Sequence, residues 1–307
     1  MRASFVAAAL CGVLLITGCT NGPEPPIDAP DERAFELPTY EEMYVGSERR
    51  IGTLDRLWAA SVTSLRYVDA EGERRRDQGE GHFQMQRPGS LTVFIGKLGE
   101  TYLILGSDTS RYWWIELLDE RRAYVGDTEQ ARTSSVEAIG VPVLPGDLLL
   151  ALDMERWPEP GSERVLDVAW SDLAGLDPSR TAVVTFEESG RQRRVHVDVV
   201  SLDPLAVELV DEAGDVFASS SLSQHGRVLN RIGAAVEPRI PMRAEIDLPS
   251  ADARLELSLS RAAMDPRKPR PVVFDFETLL DRFRVETLRR IGPQAIQASR
   301  DPARDDL

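Results

Sequence analysis

Residues 244–260 read AEIDLPSADARLELSLS, and in both halves of this stretch every second side chain is apolar. The first half alternates from Ala244 to Leu248, and the second alternates from Leu255 to Leu259. Successive side chains of a β-strand point to opposite faces of the sheet, so a period of two predicts strands. Each of these two strands is therefore expected to bury one face and expose the other. That pattern is typical of antiparallel sheets.

Short strand-like segments occupy much of the chain before this stretch. They are rich in Val, Ile, Tyr, Phe and Trp, and glycines and other turn residues separate them. The clearest are residues 91–95, 102–105, 112–117, 123–125, 181–186, 195–200 and 205–210. Such short strands with turns between them predict an antiparallel meander. We expect about ten strands in all, and a sheet of that size usually curls.

Three segments predict helices that accompany the sheet. Thr39 is a suitable N-cap for the first, and Glu42 follows at the spacing of a capping box. The second is a short helix that Asp147 begins and whose leucines are expected to fill the core. The third extends over residues 275–291. These patterns predict an α+β fold: a curled antiparallel sheet wrapped on an N-terminal helix and one or two inserted or C-terminal helices.

The N-terminus resembles the signal peptide of a bacterial lipoprotein. Arg2 precedes an almost unbroken apolar run over residues 3–16, which is too short to span a bilayer core of ~30 Å comfortably. Ile16-Thr17-Gly18-Cys19 closes the run and resembles a lipobox. The resemblance implies that the Cys19 thiol takes a diacylglycerol, that cleavage follows Gly18, and that the new amino group is acylated. The alternative is an ordinary secretory signal with a chance cysteine.

The sequence predicts four consecutive regions. Residues 1–18 are the signal peptide, and residues 19–38 are the acylated cysteine with a disordered tether rich in proline and acidic side chains. Residues 39–292 are expected to form a single domain, and residues 293–307 a flexible tail.

Composition limits the partners of this chain. It carries 36 Lys and Arg residues against 51 Asp and Glu, a formal net charge of −15. That balance argues against nucleic-acid binding, which needs clustered cations, and against docking by charge onto anionic lipid. The two cysteines are Cys11, which leaves with the signal peptide, and Cys19. The mature chain is therefore expected to have no disulfide and no thiolate metal site.

Five segments carry a resemblance to a known family. They are Gln86–Leu91, Tyr102–Asp108, Tyr112–Ile115, Val200–Leu205 and Val207–Asp211. Together with the helix that precedes the sheet, they resemble the LolA/LolB-like superfamily of outer-membrane lipoprotein carriers, to which the RseB type of sigma-factor regulator is related. The resemblance covers about residues 40–260.

The resemblance implies an incomplete β-barrel closed by helices, with an apolar cavity that receives acyl chains. The side chains that we assign to this cavity are Leu103, Leu105, Tyr112, Trp113 and Trp114. Because neighbouring side chains of a strand face opposite ways, one of the two indoles is expected to enter the cavity or core and the other to face outward. Tyr112 is expected to share the face of Trp114.

The sequence offers no arrangement typical of catalysis or metal binding. Its three histidines, His82, His196 and His225, are not spaced as metal ligands. His196 occupies an outward position of a predicted strand, which predicts a solvated imidazole. Ser219–Ser221 lie near His225, but we interpret them as a polar hairpin end rather than as nucleophiles. We expect no metal, no cofactor and no enzymatic activity.

Three functions stay open at this point. The first is a membrane-anchored envelope lipoprotein whose half-barrel binds an acyl chain or a lipidated partner. The second is a structural or assembly lipoprotein that uses the same fold as a protein-contact surface, with residues 142–157 as a plug in its own cavity. The third, an envelope hydrolase, is the least favoured. The resemblance implies outer-membrane placement, because Thr20 rather than aspartate follows Cys19.

Overall fold

In the part of the chain that the structure describes, the helices and strands lie between residues 40 and 291. The computed structural model describes residues 35–68, 73–118, 121–128, 144–188, 190–233 and 236–291. The predictions for residues 1–18, including Gly18, for the tether up to residue 34, including Cys19, and for residues 293–307 lie outside the described residues. In the described ranges the α-helices are α1 (Tyr40–Ile51), α2 (Pro145–Ala151) and α3 (Phe276–Phe283).

The strands follow in chain order. They are β1 (Arg56–Val68), β2 (Arg74–Gln86), β3 (Ser90–Lys97), β4 (Glu100–Ser107), β5 (Arg111–Glu116), β6 (Arg122–Asp127), β7 (Val165–Trp170), β8 (Thr181–Glu188), β9 (Arg191–Asp198), β10 (Pro204–Val210), β11 (Val216–Ser223), β12 (Gly226–Arg227), β13 (Leu229–Asn230), β14 (Arg239–Ile240), β15 (Arg243–Leu248), β16 (Ala253–Met264) and β17 (Thr287–Ile291).

Fifteen of these strands form one sheet in the order β17-β6-β5-β4-β3-β2-β1-β16-β15-β11-β10-β9-β8-β7, with β13 against β16. Neighbours are antiparallel except for β17 with β6 and β13 with β16. The sheet is larger than the predicted ten strands or so. Some strands were not predicted because they are polar and lack alternating apolar side chains. β2, for example, begins with Arg74-Arg75-Arg76.

The sheet curls around α2. This helix contacts β3, β4 and β5 and also β10 and β11. β5 and β10 are eight positions apart in the sheet order, which corresponds to roughly 38 Å in a flat sheet at ~4.8 Å per strand. A helix with its side chains is only ~10–12 Å across. It can contact both β5 and β10 only because the sheet curls around it. The predicted α+β fold with a curled, unclosed sheet and helices is confirmed.

The capping box predicted for α1 is present. The backbone N–H of Thr39 donates to Glu42 Oε2 at 2.8 Å, and the N–H of Glu42 donates to Thr39 Oγ1 at 3.3 Å. The helix buries Tyr40, Met43 and Ile51 against the sheet. Among the described residues, we find no helix with the length and apolar character that crossing a membrane requires.

The C-terminal part of the fold differs from the prediction of one helix over residues 275–291. Asp275 caps α3 by accepting from the N–H of Thr278, but the helix ends at Phe283, and Arg284 has a left-handed φ of 51°. Thr287–Ile291 then forms β17 in parallel with β6. The backbone groups of β6 would otherwise form an open sheet edge, and pairing them outweighs continuation of the helix.

Candidate functional site

Most of the concave face of the sheet is filled by the protein's own side chains. Leu148, Leu152 and Met154 are at most 2% exposed, and they belong to one core cluster with residues from both halves of the sheet. The Trp157 ring lies 5.2 Å from the ring of Phe186 on β8. The described part of the predicted plug, residues 144–157, therefore packs inside the curl.

A cluster of buried charges lies within this filling. Arg50 of α1 forms an ion pair with Asp153, and the two side chains are 5% and 0% exposed. Arg193 of β9 is also fully buried, with Nη2 at 3.2 Å from Glu188 Oε1. The indole Nε1 of Trp157 donates to Asp153 Oδ1 at 2.9 Å. Burial lowers the pKa of the Arg50 guanidinium, and the Asp153 carboxylate opposes that shift. No signal in the sequence indicated this cluster, because its members come from three separate segments of the chain.

One groove stays open beside this filling, between α2 and the turns that join β2 to β3 and β4 to β5. We call it the α2 groove, and its volume is about 340 Å³. Its apolar wall is formed by Pro88, Tyr112, Leu144, Leu149 and Leu150. Its charged lining residues are Asp108, Asp147, Glu155 and Arg191. Binding pockets for small molecules span ~300–1,000 Å³ and combine apolar walls with a few polar groups, so this groove is a candidate ligand site.

Two carboxylates of the α2 groove, Asp147, which is buried, and Glu155, which is partly buried, have different partners. Asp147 is 4% exposed, and its Oδ1 lies 3.1 Å from Nη2 of Arg191. Burial raises the pKa of Asp147, and the guanidinium of Arg191 opposes the rise. Burial also raises the pKa of Glu155, which Arg87 opposes. Glu155 Oε1 is shielded from solvent and has no hydrogen-bond partner among the described residues.

The five side chains assigned to a cavity from the sequence do not share one cavity. Tyr112, Trp114 and Leu105 belong to the main core, where the rings of Tyr112 and Trp114 are 5.2 Å apart, and Leu103 packs partly buried against it. Trp113 lies on the opposite face, with its ring 5.5 Å from that of Phe276 on α3. Of the five, only Tyr112 lines the α2 groove.

The expectation that one indole faces outward is wrong. Trp113 and Trp114 are both 0% exposed. They do point to opposite faces, but α3 covers the convex face at Trp113 and creates a second, smaller apolar core. The sequence concealed this because the contact between β5 and α3 joins residues more than 160 positions apart.

The prediction of a solvated His196 is also wrong. The side chain is 2% exposed, with Nδ1 at 2.8 Å from Ser171 Oγ and Nε2 at 3.3 Å from Glu208 Oε2. Ser171 is itself buried, and its hydroxyl also accepts the N–H of Leu173. None of these residues lines the α2 groove. We assign the trio a structural role that ties the end of β7 to β9 and β10.

Ser219–Ser221 are not a hairpin end. They lie within β11, and Ser220 is buried with its hydroxyl donating to the carbonyl of Ala151 at 2.7 Å. That bond fixes the end of α2 to the sheet. In the described ranges, no group of three or more His, Cys, Asp or Glu side chains is placed to hold a metal ion.

Comparison with known proteins gives structural neighbours only. No protein-family model and no curated protein sequence matches the chain. A LolA superfamily protein from Nitrosomonas europaea has a TM-score of 0.47 and 13% identity, over 78% of this chain and 99% of that one. A domain described as outer membrane lipoprotein-sorting, from Vibrio parahaemolyticus, has a TM-score of 0.43 and 13% identity, over 78% and 97%.

A DUF1329 family protein from Desulfovibrio piger follows, with a TM-score of 0.42 and 11% identity over 78% of this chain and 97% of that one. With TM-scores below 0.5, these likenesses identify no function.

Proposed function

We propose that this chain is a non-catalytic envelope lipoprotein, anchored through an acylated Cys19, that binds one apolar chain of an amphiphilic ligand in the α2 groove. The observation that carries the proposal is the groove itself. Leu144, Leu149, Leu150 and Tyr112 give it an apolar wall, while Asp147 lies among its charged lining residues. An amphiphile likewise combines an apolar chain with a polar head.

The size of the groove limits its ligand to a single chain. If a methylene takes roughly the volume of one water, ~30 Å³, about 340 Å³ accommodates about eleven such groups. Each buried methylene contributes ~0.8 kcal/mol before the costs of binding. One chain of this length is enough for measurable affinity, whereas the two or three chains of an acylated cysteine would not fit together.

A second candidate is a structural or assembly lipoprotein without a ligand. It is favoured by the filled concave face, where the segment after α2 inserts Leu152, Met154 and Trp157. In both candidates we propose that the lipid anchor holds the domain at the outer membrane, facing the periplasm. The partner is an acyl chain or a lipidated protein in the first candidate and a protein surface in the second.

Binding of an alkyl probe separates the two candidates. The test uses protein that begins at Thr20 and so keeps every described residue. Lipid that co-purifies is identified by native mass measurement and by extraction, and dodecanol is titrated by calorimetry below its micellar concentration. We expect bound lipid or saturable binding of one dodecanol. A ligand-free mass and no dodecanol binding would favour the structural candidate.

A variant that fills the groove locates the site. Leu150→Trp adds a large ring at a half-buried position of the apolar wall, and we expect at least a tenfold loss of dodecanol affinity, the equivalent of about 1.4 kcal/mol. Leu118→Trp is the matched control, because Leu118 is 74% exposed and lies outside the groove. Equal loss in both variants contradicts the assignment of the site.

A further inference from the structure

We propose that the α2 groove selects an alkyl chain whose head is a protonated amine, and that the carboxylate of Glu155 recognises this ammonium. This inference rests on the proposed function, because it names the class of ligand for the same groove. It follows from a comparison of the carboxylates of the groove that already have partners within the protein with the one that has an unpartnered oxygen.

Two of the three carboxylates in the groove are already satisfied by the protein. Asp108 Oδ1 accepts the N–H groups of Ser110 and Arg111, both at 2.7 Å, and the hydroxyl of Ser110 at 2.8 Å. Asp147 is paired with Arg191, whose Nη atoms lie 3.1 and 3.5 Å from its two oxygens. Neither group needs a ligand to complete its hydrogen bonds.

Glu155 is different. Its Oε1 atom is shielded from water without a partner in the described structure, although the backbone N–H of Gly89 bonds to the carboxylate. Arg87 contributes the largest compensating charge, but its Nη1 donates to the carbonyl of Ile51 at 2.9 Å and its Nη2 to that of Met154. The carboxylate therefore keeps an acceptor without a donor at a residue that lines the groove. Burial raises the pKa of Glu155, as expected for a carboxylate with too few donors.

An ammonium head fits this acceptor better than other simple heads. It brings three donors and a positive charge, a hydroxyl brings one donor, and a carboxylate brings none. The lining carries three acidic side chains against Arg191 alone, and Arg87 and Arg193, which are not lining residues, oppose the rise in the pKa of Glu155. Like charge close to these carboxylates disfavours an anionic head. The charge of the groove and its free acceptor thus point to the same ligand.

Three probes with the same chain test the proposal. Dodecylammonium, dodecanol and dodecanoate are titrated at neutral pH by calorimetry, below their micellar concentrations, into the protein that begins at Thr20. We expect dodecylammonium to bind about tenfold or more tighter than dodecanoate, with dodecanol between them, because a charge-assisted hydrogen bond is stronger than a neutral one. Equal binding of the three, or tighter binding of dodecanoate, overturns the inference and leaves the proposed function standing.

Glu155→Gln tests the recognising group. The amide keeps the shape of the side chain and removes its charge, so we expect dodecylammonium to lose its advantage and bind about as tightly as dodecanol, while dodecanol still binds. Glu159→Gln, at an exposed position outside the groove, is the matched control and should keep the wild-type preference. A preference that persists in Glu155→Gln overturns the role of Glu155. Absence of binding by all three probes overturns the proposed function and this inference together.

Discussion

The Nη1 atom of Arg193 lies 3.8 Å from the Oδ1 atom of Asp153, and neither side chain is exposed to solvent. Asp153 also pairs with Arg50, so one carboxylate compensates two buried guanidinium groups. A buried charge that loses its partner is strongly destabilising. We expect Asp153→Asn to lower the free energy of unfolding by about 3–5 kcal/mol, measured by urea denaturation at neutral pH.

Asp55→Asn is the matched control for that prediction. Asp55 pairs with Arg156 at 3.3 Å, but both side chains are more than half exposed, and such pairs contribute about 0–1 kcal/mol. Asparagine tolerates the left-handed φ of 48° at position 153, so backbone strain does not explain a large effect. Similar losses in the two variants would contradict the role of the buried cluster.

Gly106 of β4 leaves room for the indole of Trp113. A Cβ atom at this position would lie 2.4 Å from Trp113 Nε1, and Trp113 is held in place by α3. We expect Gly106→Ala to cost about 1–3 kcal/mol of stability, as overpacked cores do. Thermal unfolding measures the effect. In Gly146→Ala, the control, a Cβ meets nothing within 4 Å and alanine favours the helix, so its stability should be unchanged or slightly higher.

The hydrogen bond between Glu208 and His196 makes stability depend on pH. The pKa of Glu208 is lowered first by its hydrogen bond to His196, and burial opposes the shift. A lowered carboxyl pKa stabilises the fold above the unfolded value of ~4.3, and this contribution is lost as pH falls through the folded value.

We therefore expect the stability difference between wild type and Glu208→Gln to be largest above about pH 5 and to shrink toward about pH 3. Urea denaturation across this range measures it. A difference that does not change with pH would show that the carboxylate contributes no pH-dependent stability.

The proposed lipid anchor predicts where two cysteine variants will be found. In a bacterium that processes lipoproteins, we expect Cys19→Ala to move the chain from the membrane fraction to the soluble fraction, because the acyl chains supply the anchor. Cys11→Ala is the matched control and should stay with the membrane, since Cys11 lies in the part that cleavage removes. Membrane retention of Cys19→Ala would contradict the anchor.

Local signals of the sequence predicted local structure well. The capping box of Thr39 and Glu42, the start of α3 after Asp275, and the alternating strands β15 and β16 were all predicted and are present. Each of these depends on residues within a few positions of one another. The curl of the sheet was also predictable, because it follows from the number of strands.

The features that could not be predicted from the sequence depend on contacts between residues that are far apart in the chain. His196 occupies a strand position that alternation assigns to the solvated face, yet Ser171, just after β7, and Glu208, on the neighbouring strand β10, cover it. Thr287–Ile291 fits a helix by its own pattern, and the open edge of β6 made it a strand. The free acceptor of Glu155 likewise arises from three separate segments, and none of them carries a motif for it.

Because β17 pairs with β6, this part of the sheet can form only after β17 has been synthesised. Among the described residues β17 is the last strand, and the partner of the central strand β1 on one side is β16, almost as late. Synthesis proceeds from the N-terminus, so a nascent or truncated chain has both the centre of its sheet and the β6 edge unpaired. Such edges are templates for wrong pairing. Residues 253–291, which contain β16 and β17, therefore cover two strand edges that a chain cut before residue 253 would expose.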